Sequence, residues 1–158
     1  MRPALLEVSG GDAHPPVLCN CQTHELVEGA AAGLQELGVA RGDRVVLRLA
    51  NSSALVAGLL GTMRLGAIAV PTIRQYSLDE LRFAVEDCGA VCVIADDEDI
   101  DAVAGALPSS VRLVAAHEGA DEKSQLTLTQ LAQLAGRTLD APVPEAGVEA
   151  LIFYTSGT

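Results

Sequence analysis

The sequence predicts an α/β fold: a mostly parallel sheet with helices on both faces, preceded by a short β-hairpin. Three observations carry this. Short apolar runs alternate with amphipathic, helix-length segments from Val45 to Ala115. The turns between them are brief and punctuated by Gly42, Gly66 and Gly89. The helical segments open on capping residues, Ser52 and Ser77 among them. Strands separated by helices pair in parallel, and the helices cover the sheet faces.

Ala4–Val8 and Val17–Cys21 read as the two hairpin strands around Ser9–Pro16, which holds two glycines and two prolines. Thr23 is the expected N-cap of a first helix running to Leu37, with Val27, Ala30, Ala31, Leu34 and Leu37 on one face and Gly38 as its stop. Gly42-Asp43 turn the chain into a strand, Val45–Leu49. Asn51, Ser52 and Ser53 can cap a second helix, apolar on nearly every side and ending near Gly66. Such a helix expects cover on several sides and lies sandwiched. Its apolar run, Ala54–Met63, stops at Arg64 and is too short for a membrane span of about 20 residues.

Ala67–Pro71 is the next strand. Ser77-Leu78-Asp79-Glu80 has the form of a capping box, in which serine accepts from a free backbone N–H and glutamate reaches back. Leu78, Leu81 and Val85 share a face behind it, and Gly89 ends the helix. Val91–Ala95 is a strand, Asp97 starts a helix with Ile100, Val103, Ala104 and Leu107 in register, and Val111–Ala115 is a strand. A second capping box spans Thr127 to Gln130. Residues 1–139 form the α/β portion, 140–149 a proline-bearing connector, and 150–158 a last strand, Ala150–Tyr154, entering a loop.

The 158 residues carry a formal net charge of −11. That excludes nucleic-acid binding through phosphate contacts, which needs a basic surface, and disfavours anionic membranes. No secretory signal is visible, so the cytoplasm is the expected compartment and Cys19, Cys21, Cys88 and Cys92 are expected as reduced thiols. Four thiolates could hold zinc if brought together, but neither pair has the common two-residue spacing, so small buried hydrophobes are the plainer reading. His14, His24 and His117 stand alone in or beside loops and are expected to be solvated. Asp96-Asp97-Glu98-Asp99 could hold a cation, and a solvated helix start is the plainer reading. Arg74 and Tyr76 follow Pro71 in a loop and are candidates for lining a pocket, which the sequence leaves open.

The chemical signal is concentrated in Tyr154-Thr155-Ser156-Gly157-Thr158. Three hydroxyls and a glycine directly after an apolar strand can aim backbone N–H groups and hydroxyls at an anion, phosphate being the natural guest. An ordinary Ser/Thr/Gly turn is the alternative. Neither the Gly-x-Gly-x-x-Gly turn of dinucleotide-binding domains nor the Gly-x-x-x-x-Gly-Lys loop of ATPases is present.

This terminal motif resembles the phosphate-loop signature of the AMP-forming adenylating enzymes: acyl-CoA synthetases, luciferases and peptide-synthetase adenylation domains. The resemblance extends upstream in order, through Thr23-His24-Glu25-Leu26, Val39-Ala40-Arg41-Gly42-Asp43-Arg44-Val45, Asn51-Ser52, Arg64-Leu65-Gly66-Ala67-Ile68-Ala69-Val70-Pro71 and the Ser77–Val93 helix and strand. It covers the chain from about Ala4 to Thr158, and the style of Gly66–Pro71 is nearest to acyl- or aryl-CoA ligases. It implies the N-terminal subdomain of a larger adenylating domain. It implies that Mg-ATP and a carboxylic acid give an acyl-adenylate and pyrophosphate, and that coenzyme A or a carrier-protein thiol then takes the acyl group.

By resemblance Thr155, Ser156, Gly157 and Thr158 are the start of the phosphate cradle. The family's next residues, Thr or Ser, glycine, proline, lysine and glycine, would follow Thr158. So would its acid pocket, its magnesium-associated glutamate and its C-terminal domain with the catalytic lysine. No catalytic residue and no metal ligand is therefore assigned within residues 1–158. The expectation is a fragment cut from a longer polypeptide, inactive and poorly soluble by itself. A free-standing, non-catalytic interaction module on the same scaffold is the alternative.

Overall fold

The computed structural model describes residues 3–6, 17–116, 139, 141–142 and 144–155. The hairpin pairs β1 (Pro3–Leu6) with β2 (Val17–Cys19) in antiparallel fashion, with an irregularity between Pro3 and Leu5. The main sheet holds β3 (Arg44–Arg48), β4 (Ile68–Pro71), β5 (Cys92–Ala95) and β6 (Arg112–Ala115). All four are parallel, in the order β4-β3-β5-β6. Helices α1 (Asn20–Glu36), α2 (Ser53–Leu65), α3 (Leu78–Cys88) and α4 (Ile100–Ala106) accompany them, and each of these six strands lies within a residue or two of expectation.

Strand alternation divides the core. Val45 and Leu47 of β3, with Cys92, Ile94 and Val114, face α1 and α2. Val46, Val70, Val93, Ala95 and Leu113 face Leu81 and Val85 of α3 and Val103 of α4. Successive strand side chains point to opposite faces, so near-continuous apolar strands require helices on both sides.

On the first face α2 lies between the sheet and α1, and glycines set both distances. Gly58 faces Leu47 and Ile94, and Gly61 faces Ala30 and the backbone of Val27 and Ala31. The expected sandwiching holds on these two sides, while Leu60 on the outer side is 40% exposed. Ser52 caps α2 by accepting from Leu55 N–H at 3.3 Å. Gly66 ends it at φ 82°, a left-handed turn that suits a residue without Cβ.

Four expectations are corrected. Thr23 is not the N-cap of α1; the helix begins four residues earlier, behind Cys19. Gln22 explains this, since its Oε1 accepts from Cys19 N–H at 2.9 Å, the reach-back half of a capping box. Thr23 sits inside the first turn and donates back to the Cys19 carbonyl at 3.1 Å. The same turn brings Cys19 and Cys21 together as a disulfide, Cα atoms 5.5 Å apart, so these two are not free thiols.

Ala104 is exposed instead of facing the sheet, and Ala106 is buried in its place. Val103 and Ala106, three residues apart on α4, make its buried face, and the 3-10 turn Asp97–Asp99 leads into the helix. Ala150–Tyr154 does not form a full strand; residues 150–152 make one parallel bridge beside β4, Ala69 opposite Leu151. The second capping box at Thr127–Gln130, His14 and His117 lie outside the described residues. No helix among the described residues is long and apolar enough to cross a membrane.

Candidate functional site

The strand order contains a reversal. From β3 the chain passes over one face by α2 to β4, then returns over the other face by α3 to β5, on the far side of β3. Open α/β sheets bind ligands outside the carboxyl ends of their strands at such a switch point. A cleft of about 500 Å³ lies at this end, lined by Leu49, Asn51, Thr72, Arg74, Tyr76 and Phe153 among others.

The β3 and β5 ends carry an ion-pair cluster. Arg48, the last residue of β3, follows the alternation to the α3/α4 side and is buried, with only 6% exposed. Its Nη1 donates to the Tyr76 carbonyl at 2.9 Å, and its Nε stands 3.5 Å from Asp99 Oδ2. Asp96 is buried and accepts from Ala50 N–H at 2.8 Å, which ties the exits of β3 and β5 together. Arg74 lies across the group, 3.4 Å from Asp96, 3.1 Å from Glu98 and 3.6 Å from Asp99. The hydrogen bond to Glu98, with the neighbouring carboxylates, raises the Arg74 pKa, so it stays cationic.

The acidic run is thus not simply a solvated helix start. Asp96 is withdrawn from water, and two arginines answer its neighbours. An anion entering the cleft meets an Arg74 already engaged by carboxylates. The signal for Arg48 was an arginine closing an otherwise apolar buried strand. Nothing local in the sequence tied Arg74 to Glu98, which is 24 residues away.

Residues 150–152 bring the terminal motif to the same end. Ala69 N–H donates to the Ala150 carbonyl at 3.0 Å and Ile152 N–H to the Ala69 carbonyl at 2.9 Å. Phe153 then leaves the ladder and is 65% exposed. Tyr154 turns back onto α3. Its hydroxyl donates to Asp87 Oδ2 at 2.6 Å, its ring meets Phe83 edge-on with centroids 6.4 Å apart, and its carbonyl accepts from Tyr76 Oη at 3.2 Å. Partial burial, followed by the bond to Asp87, raises the phenol pKa, so the group remains a donor at neutral pH.

Of the four residues of the candidate phosphate loop, Thr155 is described and exposed; Ser156, Gly157 and Thr158 lie outside the described residues. Arg74 and Tyr76 do line the cleft. His24 is exposed. The cysteines do not converge: Cys92 is buried in the sheet, Cys88 half-buried at the end of α3, and the other two are paired with each other. No group of three or more His, Cys, Asp or Glu among the described residues could hold a metal ion.

These features define a doubly wound α/β domain with a cleft at the carboxyl end of its parallel sheet. The chain belongs to the AMP-binding enzyme family, which it matches over residues 21–158. It is 34% identical over 144 residues to the long-chain-fatty-acid–CoA ligase FadD13 of Mycobacterium tuberculosis, covering 87% of this chain and 27% of that one. It is 31% identical over 147 residues to a 2-succinylbenzoate–CoA ligase of a Geobacillus species, covering 87% and 25%. Among solved structures, the anthranilate–CoA ligase AuaEII in complex with anthranoyl-AMP superposes with a TM-score of 0.80 at 25% identity, over 99% of this chain and 30% of that one. An acyl-CoA synthetase of Brucella canis shares the fold, with a TM-score of 0.84 at 21% identity over 99% and 29%. The chain thus spans about a quarter of the length of these curated relatives.

Proposed function

We propose that this chain is the N-terminal portion of an ATP-dependent acid–thiol ligase. The whole enzyme forms an acyl-adenylate and pyrophosphate, then a thioester, with coenzyme A as the acceptor. The observation that carries the reading is the delivery of Tyr154-Thr155 by the 150–152 segment to the carboxyl end of the sheet, beside the switch-point cleft. Thr155, Ser156, Gly157 and Thr158 begin the cradle for the ATP phosphates, supplying N–H groups and hydroxyls. Residues 1–139 serve as the subdomain body, 140–149 as the connector and 150–158 as the entry to the loop.

The chemistry supports this division of labour. Adenylation develops charge on the transferring phosphorus and on pyrophosphate, which fixed N–H donors and cations stabilise. The loop start supplies donors, and none of the cationic or acidic groups among the described residues is assigned to the reaction. Magnesium enters as the counter-ion of the ATP substrate. Relatives are named for long-chain fatty, 2-succinylbenzoic and 3-hydroxybenzoic acids, so the acid of this enzyme is left to assay. The cytoplasm is the proposed compartment, where ATP and coenzyme A are supplied.

Acid-dependent ATP–pyrophosphate exchange tests the reading. The polypeptide continued in frame past Thr158 should exchange with at least one acid of a fatty and aryl panel, and residues 1–158 alone should not. Exchange by residues 1–158 would overturn the claim of incompleteness. A stop codon directly after Thr158 would favour the non-catalytic module.

A further inference from the structure

Beyond Ile152 the chain has left the sheet, yet Tyr154 is held at both of its polar ends. Asp87 of α3 takes its hydroxyl at 2.6 Å, and Tyr76 of the β4–α3 loop gives a hydrogen bond to its carbonyl at 3.2 Å. Tyr76 is itself held, since Arg48 donates to its carbonyl at 2.9 Å and its own N–H donates to Ile73 at 3.1 Å. A line of contacts therefore runs from the buried cluster at the β3 exit, through Tyr76, to Tyr154.

The peptide group gives this line a direction. The Tyr154 carbonyl and the Thr155 N–H belong to one planar trans unit and point opposite ways. A bond that fixes the carbonyl toward Tyr76 fixes the Thr155 N–H away from it. Asp87 and Phe83, gripping the ring, remove the remaining freedom to rotate or slide. A binding group is effective only when its supports hold it within a fraction of an ångström.

From this geometry we infer that Tyr76 and Asp87 are positioning residues that set the first peptide of the ATP-phosphate loop, acting through Tyr154. The inference rests on the ligase reading above and adds to it the side chains that orient the loop. Each acts on the direction in which Thr155 presents its N–H.

The test uses the full-length polypeptide carrying this segment, assayed by ATP–pyrophosphate exchange with the fatty and aryl acid panel. Tyr76→Phe keeps the ring and removes one hydrogen bond; Asp87→Ala removes the other. Each should raise the KM for ATP about tenfold, the scale of one well-placed hydrogen bond, with the KM for the acid within about twofold. Asp87→Asn, which keeps an acceptor, should recover most of the loss. A merely structural role would lower the melting temperature and the active fraction while leaving the KM for ATP unchanged, and that result in both Tyr76→Phe and Asp87→Ala overturns the inference. If the wild-type polypeptide shows no exchange with any acid, the ligase reading fails and the inference falls with it. Exchange by the wild type with unaltered variants sinks the inference alone.

Discussion

Gly61 meets Ala30 where α2 crosses α1, so closely that a Cβ on Gly61 would stand 2.7 Å from the Ala30 Cβ. It would also lie 3.1 Å from Ala31 N and 3.2 Å from the Val27 carbonyl oxygen, neither of which can swing aside. Gly61→Ala gains up to about 1 kcal/mol of helix propensity. Overpacking against backbone costs about 1–3 kcal/mol and wins. Chemical denaturation should show a net loss of about 1–2 kcal/mol. Gly105→Ala, on α4 with nothing within 4 Å of the new methyl, should gain up to about 1 kcal/mol instead. Equal effects at the two sites would refute the close-packing account.

The two arginines at the carboxyl end of the sheet should differ sharply. Arg48 is buried and serves both Asp99 and the Tyr76 carbonyl. Arg48→Met leaves a carboxylate and a carbonyl without that partner, at a cost of about 3 kcal/mol. The Arg74 side chain is 35% exposed, and three carboxylates surround it. Water and salt screen such pairs, so Arg74→Ala should cost less than about 1 kcal/mol. Urea denaturation of both variants decides the matter; comparable losses would mean the cluster is not organised around Arg48.

Much of the fold was legible because the signals were local. Apolar strands, Gly66 and Gly89 as stops, and Ser52 and Ser77 as caps each concern a few neighbouring residues. The misread α1 start turned on Gln22, whose reach back to Cys19 N–H makes Cys19 the cap, four residues ahead of Thr23. The acidic run at Asp96–Asp99 was misjudged because its partners, Arg48 and Arg74, come from other elements. The candidate site divided in the same way. Its loop residues were visible as a motif, whereas the grip of Asp87 and Tyr76 on Tyr154 spans separations of 67 and 78 residues and needs the assembled sheet.

The capping box at α3 carries a pH dependence. Ser77 Oγ accepts from Glu80 N–H at 3.2 Å, while Ser77 N–H and Oγ–H donate to Glu80 Oε2 at 2.7 and 2.8 Å. The backbone bond first, then the hydroxyl bond, lowers the Glu80 pKa. A carboxyl depressed on folding contributes stability above its unfolded pKa and loses it as pH falls through its folded value. Ser77→Ala should cost about 1 kcal/mol at pH 7. The gap to wild type should narrow below pH ~4, as the carboxylate takes its proton. A gap that stays constant down to pH ~3 would rule Glu80 out as the titrating partner.

Cys92 supplies the opposite limb. It lies fully buried in β5, and burial, opposed only by the charge of Arg112, pushes its thiol from the ordinary 9.0 up to about 12. Above pH 9 the unfolded chain releases a proton that the folded chain keeps. The stability associated with the protonated thiol is therefore complete below 9 and is lost as pH rises toward 12. One proton sets a limiting slope of about 1.4 kcal/mol per pH unit. Other groups titrate in the same range, so the comparison must be with Cys92→Ala. That variant is less stable at pH 7 through its small cavity, and its deficit should shrink as pH rises past 9. A thiol reagent at neutral pH supplies the independent check. Half-buried Cys88 should react slowly in the native protein, and Cys92 only at the rate of unfolding. Labelling of Cys92 in the folded state, or a deficit that stays flat from pH 9 to 12, would show that the thiol is not sealed within the sheet.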